Sequence, residues 1–295
     1  VSARRNGARR LAALAAATAA GCVGITTAEQ GVQSIRLDPV PPSIVAGDVL
    51  RDSAGNEIQL RATAFDEANR EVSGATFEYA YVPLARDTTT GDSALVVNPV
   101  TGAVRADSLP RAAQVRVGAR FGARLQALDT IAIVRRPTRL RRAGADTVLR
   151  LRYLCIDESR SLTLDNASGG TVSGALPIRL TGDSARDTVP VPSYLVQYRI
   201  TSPQTIPVGT SPYGDQRPAI YLTNGRVDRP LSYDTTNASG QTTTALRVIG
   251  PLFPTRTGSP DTVRIEARAF YRGAPIDSAV TFRVRLERIT TQSCP

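Results

Sequence analysis

The stretch Ile58-Gln59-Leu60-Arg61-Ala62-Thr63-Ala64-Phe65 alternates apolar with polar side chains, so that one face can be buried while Gln59, Arg61 and Thr63 meet water. That period of two belongs to a β-strand. Working outward, the same alternation recurs at 75–82, 114–119, 147–154, 194–200, 262–270 and 280–286, with Gly, Pro, Asn and Asp clusters between the pieces. No convincing helical period appears beyond residue 22. Four Asp-Thr pairs precede a branched residue, at Asp129-Thr130-Ile131, Asp146-Thr147-Val148, Asp187-Thr188-Val189 and Asp261-Thr262-Val263. Each reads as a turn handing over to a strand, because Asp binds nearby backbone amides in turns and Val or Ile suits a pleated surface. The chain is therefore expected to be all-β. Its 295 residues leave room for two domains of about 100–200 residues each. With 41% hydrophobic residues, only 5% aromatic and no Trp, the cores must be packed with small and branched aliphatic side chains.

Residues 1–22 have a different character. Arg4, Arg5, Arg9 and Arg10 precede an alanine-leucine run that ends Ala19-Ala20-Gly21-Cys22. A basic start, a short apolar stretch and small residues before a cut are the parts of a secretory signal, and the run is too short to span a membrane as a helix. Its end resembles the lipobox of bacterial lipoproteins, which implies that Cys22 is lipidated and anchors the chain to a membrane. The family usually has leucine where Ala19 stands, so cleavage by an ordinary signal peptidase near Ala20 stays open. Val23 after the cysteine implies the outer membrane or cell surface. The organisation expected is a signal peptide at 1–21, a lipidated tether at 22–31, one domain at 32–136 and an enlarged second domain at 137–295.

Residues 32–136 resemble a bacterial Ig-like domain of the second group. The matching pieces are Ser34-Ile35-Arg36-Leu37, Ala46-Gly47-Asp48, the stretch 60–66, Ala75-Thr76-Phe77-Glu78-Tyr79, and Pro99-Val100-Thr101-Gly102-Ala103-Val104-Arg105-Ala106, followed by 115–119 and 130–134. Gly102 permits a positive φ at a tight turn, after which Val104 and Ala106 face one side. The tryptophan usual on the third strand is missing, with Phe77 or Tyr79 to fill its volume. In the second region, 234–248 with Asn237-Ala238-Ser239-Gly240 resembles the turn and strand of invasin-type Ig-like repeats, and 263–286 reads as a closing hairpin around Tyr271-Arg272-Gly273-Ala274-Pro275. Two Ig-like β-sandwiches in tandem are the implied fold, with few contacts across the boundary.

At about 150 residues the second region exceeds one ordinary sandwich of about 100. The surplus lies in irregular segments, chiefly 165–174, 182–192 and 202–218. The last carries Pro203, Pro207, Pro212 and Pro218. It reads either as an ornamental loop or as a binding loop presenting Tyr213 and Arg217. With Cys22 lipidated, Cys155 and Cys294 remain as one possible disulfide in an oxidising compartment.

The formal charge is +10 with pI ≈ 10.2, and the segment beyond the four early arginines carries +6. Arg135, Arg136, Arg139, Arg141 and Arg142 crowd the domain boundary, either as a solvated linker or as a patch contacting acidic glycans or lipid head groups. Nucleic acid is not an expected partner, for want of an aromatic-basic stacking surface. The absence of histidine and lysine removes Ser-His and Cys-His nucleophile systems, the usual zinc sites and Schiff-base chemistry. Neighbouring carboxylates at Asp66-Glu67 and Asp157-Glu158 would point to opposite faces of a strand, and no DxDxDG-type calcium loop occurs. No catalytic residue, metal or cofactor is therefore assigned. The function expected is a non-catalytic, lipid-anchored envelope protein serving binding, adhesion or structural roles. An accessory subunit of a larger envelope complex and a carbohydrate-binding surface protein remain as alternatives.

Overall fold

The computed structural model describes residues 31–82, 94–108, 114–144, 148–154, 176–182, 189–210, 216–224, 230–249 and 262–289, and every regular element among them is a strand. The first unit comprises β1 (Ser34–Leu37), β2 (Ser43–Val45), β3 (Ala62–Phe65), β4 (Glu78–Val82), β5 (Leu95–Val97), β6 (Val104–Ala106), β7 (Val115–Phe121) and β8 (Leu125–Val134). One sheet has the order β2-β8-β7-β4. Opposite it lie the ladders β1-β3 and β5-β6, tied together by a bridge between Gln59 and Ala103. Leu60, Leu95 and Val104 from one layer meet Tyr79, Val115, Val117 and Ile131 from the other in a shared core, which makes the unit a sandwich. The alternating stretch 58–65 buries Leu60 and Ala64 as its period requires, and it changes partner midway, from Ala103 at Gln59 to β1 at β3.

The second unit comprises β9 (Arg139–Arg142), β10 (Val148–Leu154), β11 (Ile178–Thr181), β12 (Leu195–Ser202), β13 (Val208–Thr210), β14 (Gln216–Pro218), β15 (Ile220–Thr223), β16 (Tyr233–Thr235), β17 (Ala245–Val248), β18 (Thr262–Arg268), β19 (Phe270–Tyr271), β20 (Ala274–Pro275) and β21 (Val280–Ile289). A five-stranded sheet in the order β10-β21-β18-β12-β16 faces the ladders β9-β11 and β15-β17, which a bridge between Arg179 and Gln241 connects. Ile178, Leu180 and Leu246 pack against Tyr198, Val263, Ile265 and Phe282 between these layers.

The two units repeat one plan. In each, an early strand lies parallel to the last strand, β2 with β8 and β10 with β21, whereas the remaining ladders are antiparallel. The penultimate long strands even share their lettering. Val115-Arg116-Val117-Gly118-Ala119-Arg120 in β7 corresponds to Val263-Arg264-Ile265-Glu266-Ala267-Arg268 in β18, with the aliphatic residues buried and the arginines outward. A tyrosine occupies the core from the neighbouring strand in both, Tyr79 on β4 and Tyr198 on β12. The Tyr198 hydroxyl is satisfied inside the core, donating to the Leu176 carbonyl at 3.2 Å and sharing a short hydrogen bond with Thr242.

The turn glycines match as well. Gly102 (φ +71) and Gly240 (φ +70) both lie in left-handed backbone, and a Cβ on either would come within 2.5 Å of the Leu60 carbonyl or 2.4 Å of the Leu180 carbonyl. Each glycine thus lets a loop press onto the strand beside it, and its own carbonyl accepts that strand's amide, from Leu60 in one unit and Leu180 in the other.

Several sequence expectations are corrected by the coordinates. Asp129-Thr130-Ile131 is no turn but the interior of β8; the Asp129 carboxylate accepts the adjacent Thr130 amide while the strand continues. The arginine cluster is no plain linker, because Arg139–Arg142 forms β9, paired with β11 around the buried Leu140. Segment 202–218 is not wholly irregular: it starts at a cis Ser202–Pro203 bond and contains the hairpin β13-β14.

Gly102→Ala and Gly240→Ala should each cost more than about 1 kcal/mol, because the left-handed backbone is strained by any side chain and the added Cβ also meets a backbone carbonyl. Gly74→Ala, at φ +80 with nothing within 4 Å, should cost less. Urea unfolding midpoints of the full chain measure the difference.

Candidate functional site

The most elaborately built polar site lies where the two units meet. β2 ends in the loop Ala46-Gly47-Asp48, and Asp48 is only 4% exposed. Its Oδ1 accepts the Val49 amide at 2.9 Å and Arg51 Nη2 at 3.0 Å, and its Oδ2 accepts Arg51 Nε at 3.0 Å. Arg51 therefore grips the carboxylate with both prongs of its guanidinium. A second cation comes from the other unit: Arg272 Nε donates to Oδ2 at 3.1 Å across 224 residues of chain. Arg272 and Gly273 form the two-residue turn between β19 and β20, at φ +52 and +75, the twist that a tight hairpin requires.

Backbone contact closes the joint. A Cβ on Gly55 (φ +84) would fall 2.5 Å from the Gly273 nitrogen, and the Gly55 carbonyl accepts Arg51 Nη1 at 3.1 Å. Arg136 and Arg272 each lie 5.3 Å from the Tyr271 ring centre. Beneath them Val45, Ala132 and Val134 of the first unit join the hydrophobic cluster of the second, and Pro42, Ile44, Tyr194 and Tyr271 line a small cleft between the units. The expectation of few contacts across the boundary is thus overturned, because this interface combines apolar burial with a shared buried charge.

Burial alone would raise the Asp48 pKa. The hydrogen bonds from Arg51, Arg272, the Val49 amide and the Tyr271 hydroxyl outweigh it and hold the carboxyl well below the usual carboxylate range. Tyr271 is shifted upward, by burial and by its hydrogen bond to the ionised Asp48. A second buried carboxylate, Asp234 on β16, accepts the Thr235 and Thr243 amides at 2.8 Å and the Thr244 hydroxyl at 2.9 Å, which locks the loop before β17.

The residues singled out from sequence are distributed as follows. Arg136 stacks on Tyr271, while Arg142 lies over the Phe282 ring at 4.8 Å and donates to the Thr281 carbonyl. Arg139 and Arg141 occupy the solvent side of β9, and Arg135 is exposed just before it. Arg217 is buried in β14 rather than displayed at a loop tip. Cys22, Cys155, Cys294 and Tyr213 lie outside the described residues, as does the pair Asp157-Glu158. Asp66 shapes a turn, accepting the Arg70 amide at 2.8 Å and Arg70 Nε at 2.9 Å. Among the described residues no group of three or more His, Cys, Asp or Glu side chains comes together to hold a metal. Sequence reasoning missed Asp48, Arg51 and Arg272, although it had read Ala46-Gly47-Asp48 as a piece of the Ig-like resemblance and the segment around Arg272 as a turn; nothing in either segment names its distant partner.

No protein-family model matches the chain, and no curated protein matches it. Solved structures to which the chain is similar include the S-layer protein rSbsC, at 12% identity and TM-score 0.26 over 87% of this chain and 28% of that one. The Yersinia pseudotuberculosis adhesin InvE is similar at 15% identity and TM-score 0.29, over 86% of this chain and 60% of that one. The D00-D0 domain of intimin is similar at 14% identity and TM-score 0.24, over 86% and 99%. This chain thus spans under a third of the S-layer protein and about three fifths of InvE.

Asp48→Asn should destabilise the full chain by about 2 kcal/mol, the order expected when a buried ion pair loses one member while Arg272 keeps access to water. The pH dependence has a definite sign. Because the folded pKa lies below the unfolded one, the Asp48 contribution is fully present above the ordinary carboxylate range and fades as pH falls from about 4 toward the lower folded value. Urea unfolding at pH 7 and pH 3 should show the gap between wild type and Asp48→Asn narrowing at pH 3.

Proposed function

We propose that the chain is a non-catalytic, lipid-anchored cell-envelope protein whose two Ig-like sandwiches act as one binding, adhesive or structural body. The observation that carries this reading is the joint. Domain interfaces are where small-molecule and catalytic clefts commonly form, but here the polar part of the interface is taken up by the Gly55-to-Gly273 contact and the Asp48 carboxylate between Arg51 and Arg272, beside a cleft that is small. Tandem domains move relative to one another by default unless their interface is apolar and extensive. An interface that shares both a charge and a hydrophobic cluster supports a stiff spacer, as a module reaching out from a membrane would need. The lack of histidine and lysine further narrows the chemistry available to an active site. The solved structures named above include an adhesin and an S-layer protein, and the same kind of surface role is the one proposed here.

Anchoring belongs to Cys22, preceded by the basic and apolar run of residues 1–21. Cys155 and Cys294 are proposed to pair as a disulfide, and the partners proposed are the membrane through the lipid together with an envelope protein or an acidic glycan.

Fractionation of cells expressing the full chain should place the wild type in the outer-membrane pellet and shift Cys22→Ser to the soluble fraction. Equal recovery of both in the pellet would overturn the anchor. A non-reducing peptide map should contain one peptide joining Cys155 to Cys294; two free thiols in exported protein would remove the disulfide.

A further inference from the structure

The outer face of the five-stranded sheet carries an unusual concentration of arginine. Arg199 on β12, Arg264 and Arg268 on β18, and Arg283 and Arg285 on β21 are all exposed on it. Arg264 stands directly opposite Arg283 in the antiparallel register, Arg285 lies two residues further along, and the backbone of β10 places Arg150 beside Arg285. Neighbouring strands are about 4.8 Å apart, and alternate residues about 7 Å apart along a strand. Like charges set directly opposite one another destabilise a sheet. Acids share this face as well: Glu266 is engaged by Arg268 at 2.9 Å and stands opposite Arg199 in the register, and the backbone of β21 sets Glu287 beside Arg152 at its far end. The first unit handles the same lettering differently: Arg120 sits beside Glu78, and Arg116 faces Thr130 and Val82. Among the described residues the arginines outnumber the acids by more on the second sandwich, and the directly opposed pair Arg264 and Arg283 has no counterpart at Arg116.

We propose that this face, centred on Arg264 and Arg283, is the docking surface for an acidic polysaccharide. The proposal deepens the reading of the chain as an envelope binding module by naming the face and the chemistry of its partner. Guanidinium forks match carboxylate or sulfate groups in two-pronged hydrogen bonds, and a flat array of them suits an extended polyanion with one acid per sugar. A bilayer is the less suitable partner. Arg264, Glu266, Arg268, Thr281, Arg283 and Arg285 offer no large apolar side chain to sink below the head groups, and Tyr233 stands only at the edge, on β16.

The test measures binding of the full chain to polygalacturonate, to neutral dextran and to phosphatidylcholine vesicles containing phosphatidylglycerol, across a salt series. Wild type should bind polygalacturonate, weaken steeply with salt and ignore dextran. Arg264→Gln/Arg283→Gln should bind at least tenfold more weakly with a shallower salt dependence, and its thermal midpoint should hold or rise because an opposed like-charge pair is gone. The single variant Arg199→Gln, outside that pair, should weaken binding about threefold, and Arg116→Gln/Arg120→Gln on the first unit should change nothing. Undiminished binding by the double variant would overturn this face as the site. Binding to the vesicles but not to polygalacturonate would overturn the partner in favour of a membrane. No binding to any probe would overturn the inference as a whole, while the envelope reading stands or falls separately on the Cys22 fractionation.

Discussion

A single carboxylate organises the molecule. Asp48 is withdrawn from water, and a buried charge of that kind is tolerated only where it is fully hydrogen-bonded. Arg51 satisfies it locally, from within the loop that follows β2. Arg272 then completes the shell from outside, which means that separating the units would strip a donor from a charge that has little access to solvent. The apolar members of the interface, Val45, Ala132 and Val134, supply the non-directional part of the attraction. The ion pair supplies the directional part: its geometry selects one way for the two sandwiches to meet.

What could be read from the amino acids, and what could not, follows from the range of the interactions involved. Alternation in Ile58 to Phe65, in β18 and in β21 reports burial of one sheet face, a local property that each strand declares for itself. The turn at Gly102 was equally legible, since its backbone requirement is local. By contrast, β9 was hidden because its one buried side chain, Leu140, is flanked by arginines whose outward placement mimics a solvated run. Asp129 misled for a related reason. Its side chain makes the local amide contact seen in turns, while the long ladder with β7 keeps the backbone extended. The joint was out of reach altogether, because Asp48 and Arg272 each sit in an ordinary turn and only the tertiary fold brings them together.

The duplication of plan shows how one framework carries different surfaces. Val115, Val117 and Ala119 in β7, and Val263, Ile265 and Ala267 in β18, are held to small or branched apolar side chains because both cores need the same volume. The outward positions are free of that constraint. There Arg116 and Arg264 correspond, yet the partner strands differ, with Thr130 opposite Arg116 but Arg283 opposite Arg264. Electrostatic character is thus set by residues that packing leaves open.

The parallel pairing of an early strand with the last one has a mechanical meaning. Tension along the chain pulls such a pair lengthwise in opposite directions, so its hydrogen bonds are loaded in shear and must fail together, whereas a peeled hairpin breaks them singly. The β2-β8 ladder spans Ser43 to Val45 against Ala132 to Val134, while β10-β21 runs from Val148 to Leu154 against Arg283 to Ile289. The second clamp, seven residue pairs long against three in the first, therefore sets more hydrogen bonds in shear along the chain axis.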